Sequence, residues 1–148
     1  MATKTENALE ALKAVIMGLG SVNVRRNPLL PTAFEAGQLV AILDGTPEET
    51  GRRFAVQPVI EFEHAVILEI VVTGKNDESR NSKINALVSA IGTALSADLK
   101  LGGAVDYLTF GPPADPATDL FVGAEDVQSC SIEITLFYET SENPMEAV

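Results

Sequence analysis

Residues 54–72 read FAVQPVIEFEHAVILEIVV, and the period of this stretch decides the fold. Its even positions are almost all apolar: Phe54, Val56, Ile60, Phe62, Val66, Leu68, Ile70 and Val72. Alternation with period two is the mark of a β-strand with one buried face. A single straight strand of this length would reach roughly 60 Å at about 3.3 Å per residue. A domain of 148 residues has a radius of gyration of only about 15 Å. The stretch is therefore expected to bend or break near Glu61-Phe62-Glu63-His64, the alternative being an arm that projects from the body. From Val66 to Val72 both faces are apolar except at Glu69, which predicts a central strand.

Toward the N-terminus, Asp44 to Gly51 is rich in turn formers and acids and reads as a loop. Before it, Gln38–Leu43 is a strand, and Val22–Arg25 a shorter one stopped by Asn27-Pro28. Residues 5–18 form a predicted helix: Thr3 and Glu6 have capping-box spacing, Leu9, Leu12, Val15, Ile16 and Leu19 recur at helical spacing, and Gly18 and Gly20 end it.

Toward the C-terminus, Asn76-Asp77-Glu78-Ser79 supplies cap residues and first-turn acids. Ile84, Leu87, Val88, Ile91, Leu95 and Leu99 follow as one stripe, predicting a helix over 77–99 that closes at Leu101-Gly102-Gly103. Val105–Phe110 is a short strand and Gly111–Asp126 a long loop. Ser129–Thr140 alternates cleanly, with Cys130, Ile132, Ile134, Leu136 and Tyr138 on one face. Its other face is expected to be wet or covered by a neighbouring subunit. The tail 141–148 is expected to fray. The sum is one α+β domain over 1–148, with a mostly antiparallel or mixed sheet and two main helices packed on one face.

The formal net charge is −11. Such a surface repels polyanions, so specific nucleic-acid binding is not expected. The longest apolar run, 65–72, contains Glu69 and is too short to span a bilayer, and the first residues do not have the pattern of a signal peptide. The single cysteine excludes an internal disulfide, and a cytosolic origin fits it.

A catalytic or metal centre is not expected. His64 is the sole histidine, and strand alternation sets Glu61 and Glu63 on the face opposite to it, so a bend or surface role is favoured over ligation. Cys130 has no histidine beside it in the chain and belongs to the apolar face, which favours packing over nucleophilic chemistry. Gly74-Lys75-Asn76 fails the phosphate-loop pattern, because position 69 is Glu and Lys75 is followed by Asn. Gly18-Leu19-Gly20 follows a helix and not a strand, so it is a helix end and not a dinucleotide loop. No cofactor is implied.

Two features suit an interface. Arg25-Arg26 is a basic pair in an acidic chain, which either pairs with nearby acids or docks on the acidic face of another subunit. The loop 111–126 is long for a connection inside a compact domain and carries Leu120-Phe121-Val122 between acidic, proline-containing flanks. That triplet is either a lid on its own core or an anchor for a partner.

The order of these elements resembles the tail terminator, or tail-completion, proteins of long-tailed bacteriophages and phage-like gene transfer particles. The resemblance spans roughly residues 8–141. It rests on residues 24–28 (VRRNP) after the first helix, Asp44-Gly45 after a strand, and Phe62-Glu63-His64 before a Val/Ile/Glu strand. It continues with an Ala/Leu-rich helix ending in Asp98, Leu101, Gly102 and Gly103, and closes on Phe137-Tyr138-Glu139-Thr140. The resemblance implies a homo-oligomeric ring, typically a hexamer, that caps the tail tube, stops its growth and offers a surface to the head–tail connector. It implies a virion tail or neck location after synthesis in the host cytoplasm, with genomic DNA passing through the ring, and no active site. Such a ring needs two different patches per subunit, since cyclic symmetry uses head-to-tail contacts. Acidic walls would let DNA slide without binding. Three other readings stay open: a different neck or connector structural protein, a small enzyme subunit using Glu61, Glu63, His64 or Cys130 with residues from another chain, and a ligand-binding module with its pocket between the second helix and the sheet.

Overall fold

The computed structural model describes residues 2–20, 22–28, 37–115 and 127–148. Helix α1 spans Lys4–Met17 and is capped by Thr3, whose Oγ1 accepts the Glu6 N–H at 3.2 Å. Helix α2 spans Asp77–Ala97; Asn76 Oδ1 accepts the Ser79 N–H at 2.8 Å, and Asp77 and Glu78 face the positive end of the helix dipole. Past Asp98 the chain makes a tight 3-10 turn at Leu101–Gly103, where Gly102 and Gly103 take φ of 66° and 97°. Side chains there would be strained, which is why the sequence places two glycines at this helix exit.

Among the described residues the strands are β1 (Asn23–Arg26), β2 (Gln38–Leu43), β3 (Pro47–Arg53), β4 (Val59–Thr73), β5 (Tyr107–Phe110) and β6 (Val127–Thr140). They form one mixed sheet in the order β1-β2-β4-β6-β5, with β3 also paired to β4. Only β1 and β2 run parallel, Val24 opposite Val40; the other pairings are antiparallel. β4 and β6 are in unbroken register from Ile60–Thr140 to Thr73–Val127 and form the spine of the molecule.

One face of the spine carries the core. Val66, Leu68, Ile70 and Val72 of β4 and Ile132, Ile134, Leu136 and Tyr138 of β6 lie against Leu9, Leu12 and Ile16 of α1 and Ile84, Leu87, Ile91 and Leu95 of α2. Burial of each large aliphatic contributes about 1.5–3 kcal/mol. Across the centre the opposite face is closed as well, since Leu39, Ala41, Glu69 and Val71 are all buried. β4 is thus the central strand that its two-sided apolar pattern predicts.

Two expectations are corrected. β4 does not break at Glu61–His64; the interruption lies at 54–58, before Val59, and the fifteen residues of β4 run on from there for about 50 Å. Nor is 44–51 simply a loop, because β3 occupies Pro47–Arg53. β3 pairs with the Val59–His64 half of β4, with a bulge between Glu49 and Gly51. Its side chains are almost all charged or small and exposed, so no apolar alternation announces it; the unpaired edge of β4 is what makes it a strand. The first residues of the 105–110 stretch belong to the turn before β5. Residues 141–148, expected to fray, are exposed and return to the N-terminus, where the Val148 N–H donates to Ala2 O at 3.0 Å.

Candidate functional site

Two polar assemblies meet at the turn after β2. The first centres on Arg26, the last residue of β1. Its guanidinium reaches Glu6 Oε1 at 2.6 Å and Glu10 Oε1 at 2.6 Å on α1, and Asp44 Oδ2 at 2.7 Å after β2. Glu6 and Glu10 stand four residues apart and so share one face of the helix. The fork of Arg26 is bidentate to both Glu6 and Asp44. The bonds from Glu6 and Asp44 push the Arg26 pKa up, and the bond from Arg26 holds the Glu6 carboxyl below its usual range. Burial raises Asp44, but hydrogen bonds from Arg26 and Asn27 outweigh it, and the net direction is down. Arg26 is therefore engaged with acids of its own chain, whereas Arg25 is exposed.

The second assembly surrounds His64, which is fully buried and not at a bend or on the surface. Its Nε2 lies at hydrogen-bond distance from the Asp44 carbonyl and its Nδ1 lies 3.1 Å from Tyr138 Oη. A carbonyl only accepts, so Nε2 carries the proton and Nδ1 accepts from the tyrosine hydroxyl. Tyr138 Oη in turn accepts from Thr5 Oγ1 at 2.9 Å. Burial is the main force pushing the His64 pKa down. Gly45 makes the contact possible: its φ is 63°, and a Cβ there would stand 2.3 Å from Ala65 O, so only glycine lets the turn lie this close to β4. Together the two assemblies join α1, β1, β2, β4 and β6. Among the described residues no buried side-chain polar atom lacks a hydrogen-bond partner, so the two assemblies brace these elements against one another.

Glu61 and Glu63 do lie opposite His64, and Glu61 pairs with Arg53 at 3.3 Å. Cys130 is half-buried against the core, and burial pushes its thiol pKa up, away from the reactive thiolate. Among the described residues no group of three or more His, Cys, Asp or Glu could hold a metal ion, and no helix is long and apolar enough to cross a membrane. Leu120, Phe121 and Val122 lie outside the described residues.

The sites best shaped for contact are elsewhere. Between β3 and β4 the chain turns at 54–58, where Phe54 is 86% and Val56 102% exposed. Beyond β6, an apolar groove of about 300 Å³ opens between α2 and the end of β5, lined by Val88, Ile91, Gly92, Ile132 and the run 110–113. On the outer face of the sheet a hollow of about 570 Å³ adjoins it, with Ile67, Thr109, Glu133 and Thr135 in its wall. Alternation alone puts Phe54 and Val56 on a buried strand face. The signal against that was Pro58, which removes a ladder donor just after them.

No protein-family model matches this chain, and no curated protein matches it. Among solved structures it is similar to the sheath/tube terminator of an extracellular contractile injection system, the PVC, in its extended state. The TM-score is 0.55 at 13% identity, over 97% of this chain and 60% of that one. This chain thus spans about 60% of the length of that protein. At this identity the likeness is one of fold.

Proposed function

We propose that this protein is a tail-terminator-type structural subunit. Copies of it form a ring, a hexamer as in the family it resembles, that seats on the end of a tail tube, stops its growth and presents a surface to the head–tail connector. The observation that carries the reading is the fold likeness to a sheath/tube terminator over nearly the whole described chain. The braced polar interior, fully partnered among the described residues, and the acidic composition agree with a scaffold that lets DNA pass without gripping it. In this reading the protein works in the virion tail or neck, carries no catalytic residue, and meets its partners through exposed Arg25 and the Leu120-Phe121-Val122 triplet.

The test mixes the full chain with purified tail tubes and images them by negative-stain electron microscopy. The expected result is a ring at one end of each tube and no further elongation when tube subunits are added. A protein that leaves tube growth unchanged and never forms a ring would overturn the reading.

A further inference from the structure

We infer that the 54–58 tip of one copy seats in the groove between α2 and the β5 end of the next copy. This rests on the ring reading and names the surface through which the ring closes.

Four observations converge on it. Phe54 and Val56 are the most exposed large apolar side chains of the chain's described residues, and they stand two residues apart in the 54–58 turn. Single exposed apolar residues are ordinary, but an aromatic and a branched aliphatic on one projecting tip form an anchor. The groove is lined by Val88, Ile91, Phe110, Pro112, Pro113 and Ile132, with no charged side chain among its walls. Residues 54–60 carry no charge either, so nothing charged has to be buried when the two meet.

Geometry then selects a second copy as the occupant. β3 and its tip lie on one side of β4, and the groove lies on the far side of β6, which flanks the other edge. Along the strands the tip precedes Val59, while the groove wall at Ile132 stands opposite Leu68. That offset is roughly 25–30 Å at about 3.3 Å per residue. A chain therefore cannot fill its own groove with its own tip. Two unlike patches on opposite edges make a head-to-tail contact, the kind that cyclic rings require.

Charge at the margins agrees. Arg52 and Arg53 stand at the base of the tip, both half exposed. Glu133 lines the hollow adjoining the groove and Asp115 follows Ala114 of the same wall; both are exposed and in no ion pair among the described residues. The present partners of the two arginines, Glu49, Glu61 and Glu139, are surface pairs of the weak kind that exchange readily on docking.

The test uses the full chain and compares wild type with two variants that spare the core. Phe54→Ser with Val56→Ser removes the anchor from a tip already in water. Gly92→Leu plugs the groove from inside α2: a Cβ at Gly92 meets only Phe110 Cε2, at 4.0 Å, so the helix accepts the side chain. Association is read by light scattering and native mass spectrometry over a concentration series, and folding by thermal melting. Both variants are expected to keep or raise the melting temperature and to weaken association at least tenfold. In a Cys130→Ala background, chains bearing Val56→Cys mixed with chains bearing Val88→Cys should cross-link under mild oxidation, while neither does so alone. Wild-type assembly that both variants reproduce unchanged would overturn the inference and leave the ring reading standing. A wild-type dimer abolished by both variants would keep the tip-in-groove contact and defeat the ring. A wild type that stays monomeric at every concentration and on tubes would defeat both.

Discussion

β2 and β3 lie end to end along the same edge of β4, and in every other respect they are opposites. β2, with the sequence QLVAIL, pairs with Ile67–Val72, and Leu39, Val40, Ala41 and Ile42 are wholly buried. β3, with the sequence PEETGRR, pairs with Val59–His64 and is exposed along most of its length. One edge strand closes the core and the other carries a handle away from it. The brace of Arg26, Asp44 and His64 sits at the turn between them, where the chain passes from body to arm. A strand that contributes little to stability is free to be shaped by what it touches, which is the usual arrangement at binding surfaces.

The contrast is broken most directly by cutting into each strand in turn. Ile42→Ala opens a cavity under α1 and should cost about 2–5 kcal/mol in urea unfolding. Glu48→Ala on β3 should change stability by less than about 0.5 kcal/mol. Equal losses at the two sites would mean that the arm is part of the cooperative core.

The brace comes next in size. Arg26→Ala leaves Asp44 and Glu6 without their shared cation; its own side chain is only 16% exposed, but its carboxylate partners are wetter. The expected loss is about 1–3 kcal/mol, after discounting for solvent screening. Arg26→Lys should recover less than half of it, because a single ammonium cannot fork to two carboxylates. Full rescue by lysine in thermal melts would show that charge alone matters there.

The smallest effect is a pH dependence. The folded state lowers the His64 pKa below its ordinary value near 6.5, so the unfolded chain binds the proton more readily. Stability is therefore complete above about pH 6.5 and declines as pH falls through the folded pKa. Glu6 and Asp44 are also held low, and they add a second decline below their ordinary carboxylate range. His64→Gln should cost about 1–2 kcal/mol at pH 7 and flatten only the first decline. An unchanged slope between pH 6.5 and 5 would remove His64 from the account.

How much of this was legible follows from where the apolar residues are. α2 is plain in the sequence, because Ile84, Leu87, Ile91 and Leu95 must share a stripe to reach the core, and Asn76 can do little there but cap. The same holds for β6, whose alternation from Cys130 to Tyr138 survives intact in the structure. The groove between α2 and the sheet stood among the sequence alternatives as a ligand pocket, and a groove is there, though lined by the 110–113 run that no periodicity singles out.

Local chemistry by itself therefore determined the helices with their caps, the central and final strands, and the placing of Glu61 and Glu63 away from His64. Burial imposes a period, and a period is visible one residue at a time. Tertiary structure alone decided that β4 runs through Glu61–His64, that PEETGRR is a strand, that His64 is buried under Tyr138, and that Arg26 reaches Glu6, Glu10 and Asp44. These depend on which edge is left unpaired and which charges meet across 16 to 20 residues of chain. A polar strand has no pattern of its own. It takes its conformation from the hydrogen-bonding partner beside it, and that partner exists only once the sheet is assembled.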